Sequence, residues 1–253
     1  MTGPDGPRVV AIVQARMGST RLPGKVLADI AGHTMLERVV RRLGRCDRLD
    51  EVVVATSTLA QDDAIVDACE RLGVQVVRGD PLDVLGRYAL AARATDADIV
   101  VRVTSDCPFI DPDVVSAVVA ALVDAEPSVD YASNTMTPRT FPRGLDVEAF
   151  TAAALFDADR HDRDPGTREH VTPFIQDPAR FRSAAVVWAD DLSAIRWTVD
   201  TEADLDVARR LAGAFAGRLD PGWLELLDVW RQHPEWHDLN AHIEQKKVER
   251  GQG

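Results

Sequence analysis

VVAIVQARMGSTRLPGKVL, residues 9–27, begins with five consecutive apolar residues and turns abruptly into a loop rich in glycine, hydroxyls and cations. Val9 to Val13 has the length and β-branched bias of a strand buried on both faces, the kind a parallel sheet places at its centre. The segment Gln14 to Lys25 carries Arg16, Arg21 and Lys25 among Gly18, Ser19, Thr20 and Gly24, and residues 8–25 contain no acid. In open α/β sheets ligands bind beyond the carboxyl ends of the strands. A basic loop in that place is expected to hold an anion.

The pattern outward supports such a sheet. Thr34 and Glu37 have the spacing of a capping box ahead of the helical face Met35, Leu36, Val39, Val40 and Leu43. EVVVAT (51–56) predicts the second strand, and Ala64, Ile65, Ala68, Cys69 and Leu72 form one face of a helix over 61–72 that Gly73 stops. VQVV (74–77) predicts a third strand, Asp80 and Pro81 start a helix reaching about Ala94, and DIVVRV (98–103) predicts a fourth strand. Asp111 and Pro112 give the same start signal ahead of Val114, Val115, Val118, Val119 and Leu122. Repeated strand-to-helix units predict an α/β fold of Rossmann-like type: a mostly parallel sheet, right-handed crossovers and helices on both faces.

Past Val129 the pattern loosens. Short strand candidates (YAS, LDVEAF, SAAVVW, IRWTV) alternate with Pro, Gly and Asp clusters and a helix at about 167–176, predicting a small β-rich insertion over about 129–190. Thr201 caps a last amphipathic helix with Leu205, Ala208 and Leu211 on one face, and Trp223 to Trp230 predicts a terminal helix. The reading is one domain over 8–216 with a helical extension over 217–253, and frayed tails at Met1 to Pro7 and Lys246 to Gly253.

Composition limits the partners. Asp plus Glu total 41 against 29 Lys plus Arg, and the net charge of -12 is the wrong sign for nucleic acid. No apolar stretch reaches the ~20 residues of a membrane helix, and no charged-then-apolar leader opens the chain. Cys46, Cys69 and Cys107 are odd in number and show no CxxC spacing, so neither a disulfide framework nor a thiolate zinc site is expected. The expected setting is reducing and cytoplasmic. Lysine occurs only at 25, 246 and 247, so the ammonium at position 25 runs against this chain's preference for arginine.

The loop is not a Walker phosphate loop. Five residues separate Gly18 from Gly24, and Val26 stands where Ser or Thr would hold magnesium. The run QARMGSTRLPGKVL instead resembles the opening of the cytidylyltransferases that activate acidic sugars, the 3-deoxy-manno-octulosonate and acylneuraminate enzymes, and within them the spore-coat polysaccharide biosynthesis protein F branch. RGDPLDVLGRY (78–88), VTSDCPFIDP (103–112), REHVTPFI (168–175) and VDTEADL (199–205) extend the likeness over residues 8 to about 215. SDCP departs from the Gly-Asp-Glu-Pro type of turn in the octulosonate group, which puts the acceptor in doubt more than the nucleotide.

Asp106 ends the fourth strand and Asp200 follows IRWTV. Each taken singly reads equally as a turn or cap residue. Together they offer the one or two carboxylates that magnesium takes beside substrate phosphates, and the resemblance assigns them the metal. It further implies CTP on Ala15, Gly18, Ser19 and Arg21, with Arg16, Lys25 and Asp106 catalytic and Arg78 reading cytosine. Arg78 reads equally as an exposed arginine. For the acid sugar the candidates are Arg143, Asp146 and Glu148 of PRGLDVE, together with Arg168, Glu169 and His170; Arg143 or Arg168 has the fork to grip a carboxylate, and either reads equally as a surface ion pair. His233 and His237 are not expected to bind metal, because Pro234 breaks the helix that would align them.

The expected function is therefore transfer of CMP from CTP to an acidic sugar with release of pyrophosphate, for surface polysaccharide, by a magnesium-dependent enzyme. The resemblance also implies a homodimer formed through the insertion. Two alternatives stay open: a glycosyltransferase using a nucleotide sugar, and a non-catalytic nucleotide-binding protein.

Overall fold

A computed structural model describes residues 6–216, 218 and 221–244. The proposed tails at Met1 to Asp5 and from Lys246 onward lie outside the described residues. In chain order the elements are β1 (Val9–Gln14), the short strands β2 (Asp29–Ile30) and β3 (His33–Thr34), α1 (Met35–Leu43), β4 (Glu51–Ser57), α2 (Asp63–Leu72), β5 (Gln75–Gly79), α3 (Val84–Ala94), β6 (Ile99–Thr104) and α4 (Pro112–Val123). The second half adds β7 (Tyr131–Ser133), β8 (Glu148–Thr151), α5 (Ala152–His161), α6 (Pro165–His170), β9 (Ser183–Ala185), α7 (Glu202–Gly213), α8 (Trp223–Gln232) and α9 (His237–Asn240).

The main sheet runs β5-β4-β1-β6-β8-β7-β9, with β2 and β3 pairing separately. β1 pairs in parallel with both β4 and β6, and β4 pairs in parallel with β5. Chain order therefore reverses beside β1, and the loop after β1 leaves the sheet at a topological switch point. Side chains alternate along the strand: Val9, Ala11 and Val13 enter the core shared with α1, α4, α7 and α8, while Val10 and Ile12 enter the core under α3 and α5. Burial on both faces is why VVAIV reads as an unbroken apolar run. β8 joins β6 antiparallel and β7 joins β8 antiparallel, so the insertion completes a mixed sheet.

Several boundaries differ from the sequence reading, each for a local reason. Asp80 does not cap α3. Its Oδ1 accepts from Leu82 N (2.8 Å) in a turn, and Asp83 caps the helix by accepting from Gly86 N at 2.9 Å. IRWTV is no sheet strand and makes only a bridge between Arg143 and Arg196, because Val199 N donates to Asp106 O (2.9 Å) and Val199 O accepts from Lys25 Nζ (2.7 Å). The helix expected at 167–176 is α6, starting at Pro165 behind the Asp164 cap and ending at His170, before Val171 adopts a positive φ of 68°. α5 was not expected; Thr151 caps it by accepting from Ala154 N at 3.2 Å.

The C-terminal helices share the main core rather than standing apart. Trp223, Leu226, Leu227, Trp230 and Trp236 are buried in it. The buried Arg42 and Asp111 side chains meet at 3.2 Å, Arg42 Nη1 donates to Pro221 O at 3.0 Å, and Trp223 N donates to Asp111 Oδ2 at 2.9 Å. Pairing and hydrogen bonding of both groups is what makes such an internal ion pair tolerable. His233 stacks on Trp236 and His237 on Trp230, so both imidazoles are packing groups. Among the described residues no helix is long and apolar enough to cross a membrane.

Candidate active site

The loop after β1 is held in shape from within and from β4. Met17 N donates to Asp62 Oδ1 at 2.7 Å, and Ser57 Oγ donates to Asp62 Oδ2. Ser19 N and Gly24 N both donate to Met17 O (2.9 and 3.0 Å), and Ser19 Oγ accepts from Leu22 N at 3.3 Å. Leu22 and Val26 are buried and pin the far side of the loop. Gly24 adopts a φ of 73°, a left-handed conformation that favours glycine, and so turns Lys25 into a short 3-10 helix. Ser19 thus shapes the loop with its own N–H. Among the described residues the N–H groups of Gly18, Thr20 and Arg21 have no intramolecular partner.

Two carboxylates face this loop, Asp106 beyond β6 and Asp200 after the segment Ile195 to Val199. Asp106, two residues beyond Thr104 at the end of β6, accepts from Thr104 Oγ1 at 2.5 Å. Asp200 is fixed from below, its N donating to Asp204 Oδ2 (3.0 Å) and its carboxylate accepting from Arg196 Nη2 (3.0 Å). Lys25 Nζ lies 2.8 Å from Asp200 and 3.1 Å from Asp106, and Arg21 Nη2 lies 2.9 Å from Asp200. Burial works to lower the Lys25 pKa, but the Asp106 and Asp200 carboxylates outweigh it and hold the ammonium above its ordinary value. Against burial, which works the other way, Lys25, Arg21 and Arg196 hold the Asp200 pKa below the usual aspartate value.

One cleft unites these groups. Its walls include Gln14, Ala15, Arg16, Ser19, Arg21 and Lys25 from β1 and its loop, Asp106 from the turn after β6, Asp200 from the segment before α7, and Glu169 and His170 from α6. Arg16 faces Glu169 at 3.6 Å across the exposed rim. Of the sequence candidates, Ala15, Arg16, Ser19, Arg21, Lys25, Asp106, Glu169, His170 and Asp200 line this space; Gly18 sits in the same loop without lining it.

Arg78, Glu148, Asp146, Arg143 and Arg168 lie away from it. Arg78 is turned to the β4 side, donating to Ser57 O (2.9 Å) and Leu59 O (3.0 Å) and pairing with Asp63 at 2.7 Å. Glu148 is buried, paired with Arg102 and accepting from Tyr131 Oη and Thr172 Oγ1, each at 2.7 Å. Asp146 pairs with Arg139, and Arg143 lies in the backbone bridge to Arg196. Arg168 is bound to Asp83 at 2.6 Å and to Asp159 at 3.1 Å, an internal tie between α3, α5 and α6. The sequence reading places Arg87 on the helix after the third strand without a role and misses Arg102; both line the cleft, from α3 and β6. The signal for Arg102 was a charged residue inside the otherwise apolar run DIVVRV.

The donor set suits a magnesium ion. Asp106 and Asp200 are two oxygen donors that already converge on one cation, the Lys25 ammonium. Magnesium is commonly held by one or two carboxylates with water and phosphate filling its other positions. Among the described residues no group of three or more His, Cys, Asp or Glu side chains gathers as an all-protein metal cage. The Cys107 thiol beside Asp106 is fully buried and burial pushes its pKa well up, so it stands as a packed neutral group.

The profile of a family described as "Cytidylyltransferase" matches residues 10–214. The chain is similar to the spore coat polysaccharide biosynthesis protein SpsF of Bacillus subtilis (strain 168), 31% identical over 236 residues that cover 90% of this chain and 95% of that protein. The 3-deoxy-manno-octulosonate cytidylyltransferase of Solibacter usitatus (strain Ellin6076) is 39% identical over 124 residues, 48% of this chain and 47% of that protein. Among solved structures, a cytidylyltransferase from Leptospira borgpetersenii serovar Hardjo-bovis superposes with a TM-score of 0.87 at 30% identity, covering 96% of this chain and 100% of that one.

Proposed function

The chain belongs to the cytidylyltransferase family, and from that premise we propose that it transfers CMP from CTP to a hydroxyl of an acidic sugar destined for surface polysaccharide, releasing pyrophosphate. The observation that carries this reading is the meeting of Lys25 with both Asp106 and Asp200 inside the cleft walled by Arg16 and Arg21. Relatives named for spore coat polysaccharide and for 3-deoxy-manno-octulosonate support the class of acceptor. Family membership favours nucleotidyl transfer over the glycosyltransferase and non-catalytic readings.

In the proposed reaction the loop binds the triphosphate. Arg16, Arg21 and Lys25 supply charge, and the unpartnered N–H groups of Gly18, Thr20 and Arg21 supply backbone donors to phosphate oxygens. Asp106 and Asp200 would hold a magnesium ion, which would supply neutralisation of phosphate charge and orientation of the reacting oxygens. The acceptor oxygen forms a bond to the α-phosphorus, the α–β bridging bond breaks with its electron pair on pyrophosphate, and the acceptor proton is released to water. Negative charge moves toward the leaving group, and the fixed cations of the loop stabilise it there without reorganising. Lys25 has a second duty: it keeps two carboxylates together in the free protein by neutralising them.

Thermal shift against CTP, UTP, GTP and ATP, each with and without magnesium, followed by pyrophosphate release over a panel of nonulosonic and octulosonic acids, tests the proposal. The expected result is stabilisation greatest with CTP and magnesium, and pyrophosphate formed only when an acid is present. Equal response to all four nucleotides with no pyrophosphate from any acid would contradict it.

A further inference from the structure

Two arginines in the floor of the cleft have no duty in the scheme above. Arg87 on α3 is 2% exposed and lines the cleft. Its Nη1 donates to Asp80 O (2.7 Å) and Pro81 O (3.2 Å), while its buried Nε has no partner. Gly79 makes its position available, since a Cβ there would stand 2.8 Å from Arg87 Cγ. Among the described residues no carboxylate forms an ion pair with it. Arg102 on β6 lines the same cleft, pairs with Glu148 through Nη1, and also buries an unpartnered Nε. Glu148 is itself fixed by Tyr131 and Thr172.

Among the described residues Glu148 is therefore the one carboxylate in direct contact with either guanidinium, and Asp62 and Asp83 act on Arg87 only from beyond ion-pair distance. An arginine does not relieve the imbalance by losing its proton, although burial pulls the Arg87 pKa below its ordinary value. A buried cation with no ion-pair partner and an unsatisfied donor favours an anion of matching shape beside it, and the planar guanidinium fork matches a carboxylate. The loop cations and the two aspartates are assigned to triphosphate and metal, and Arg168 is occupied by Asp83 and Asp159. We propose that Arg87 and Arg102 form a carboxylate subsite in the floor of the cleft that receives the acid group of the acceptor sugar. This rests on the transfer reaction proposed above. It explains why the acceptor must be an acid: a neutral sugar would leave the floor charge unpaired, and such penalties discriminate more strongly than any apolar contact.

Steady-state kinetics with CTP, magnesium and 3-deoxy-manno-octulosonate as acceptor probe, extended to nonulosonic acids, test the subsite on two variants. Arg87→Met keeps the stem that packs on Gly79 and removes the charge. Arg102→Lys keeps a cation for Glu148 and removes the fork. Melting temperatures verify folding of each. The expected result is a KM for the acid raised about ten- to a hundredfold in both, with CTP binding changed by less than about twofold. An unchanged acid KM, a rise in the KM for CTP instead, or an acid effect confined to Arg143→Ala overturns the subsite alone. A wild-type protein that binds CTP yet releases no pyrophosphate with any acid overturns the transfer reaction, and the subsite with it.

Discussion

Lys25 and Asp200, 175 positions apart in sequence, meet at 2.8 Å where the loop after β1 faces the end of the segment Ile195 to Val199. The same ammonium reaches Asp106 at 3.1 Å, so one side chain joins the amino-terminal loop to both carboxylates. Its removal acts on binding, chemistry and stability at once. Lys25→Ala is expected to lower kcat by a factor of about 10² to 10³ through loss of one transition-state donor. It is also expected to cost about 2 kcal/mol of stability in the absence of divalent cation, because two neighbouring carboxylates lose a charge-assisted partner. Magnesium then raises the melting temperature of the variant more than that of the wild type. Pyrophosphate release and a melting curve in EDTA and in magnesium measure the two effects.

Asp106→Asn and Asp200→Asn separate the two carboxylates. Each is expected to shift the magnesium concentration for half-maximal turnover upward about tenfold or more, and to lower the maximal rate. Asp200→Asn acts on structure as well, since Asp200 is the common partner of Lys25, Arg21 and Arg196, whereas Asp106 has Lys25 as its one cationic partner among the described residues. The melting temperature should accordingly fall further for Asp200→Asn.

The C-terminal extension supports Asp200 from behind. Asn240 Nδ2 donates to Asp204 Oδ1 (2.9 Å) and to Arg196 O (3.0 Å), and Arg196 Nε donates to Asp204 Oδ1 at 2.9 Å. Against burial, which works to raise it, Arg196 and Asn240 hold the Asp204 pKa below the ordinary value of 3.8. A lowered aspartate pKa gives stability that is complete above pH 3.8 and is lost as pH falls through the folded value. Asp200 shifts in the same direction and adds to the same window. Urea unfolding is therefore expected to show a plateau down to about pH 4 and a decline below it. Asn240→Ala should shallow that decline and cost about 1 to 2 kcal/mol at neutral pH.

Much of the fold was legible in the sequence, because the parallel half is built from elements whose local signals agree. VVAIV, EVVVAT and DIVVRV are buried on both faces of the sheet, and Asp111 with Pro112 caps α4 as expected, its Oδ1 accepting from Asp113 N at 3.0 Å. The insertion was less legible. Ile195 to Val199 has strand composition, yet its backbone serves Lys25, Asp106 and Arg143 rather than a ladder, a role that only tertiary contacts reveal. The loop candidates gathered at the cleft because a glycine- and cation-rich turn after a central strand has one place to go. Arg78 and Glu148 did not, since β5 aims the first toward Asp63 and β8 pairs the second with Arg102. Arg87 could be placed on its helix but given no role, because only the structure shows Gly79 making room for it beside the cleft.

Gly144 joins the insertion to the site. It adopts a φ of 101°, and a Cβ there would stand 2.6 Å from Thr198 N and 2.7 Å from the Trp197 carbonyl carbon. Both neighbours are backbone atoms of the segment that delivers Asp200, so they have nowhere to yield. Gly144→Ala is expected to destabilise the protein by about 2 to 4 kcal/mol, more than a surface substitution does. Because the displaced segment carries Asp200, the variant should also lose affinity for magnesium and CTP together at temperatures where it stays folded. Calorimetric titration of the folded variant measures that loss.

The position of the metal in the ternary arrangement tests the account most directly. In crystals grown with CTP and Mn2+ in place of magnesium, the anomalous signal is predicted between the Asp106 and Asp200 carboxylates, with Lys25 withdrawn onto the triphosphate beside Arg16 and Arg21. A signal coordinated by neither aspartate, or a triphosphate seated away from the loop after β1, would contradict it.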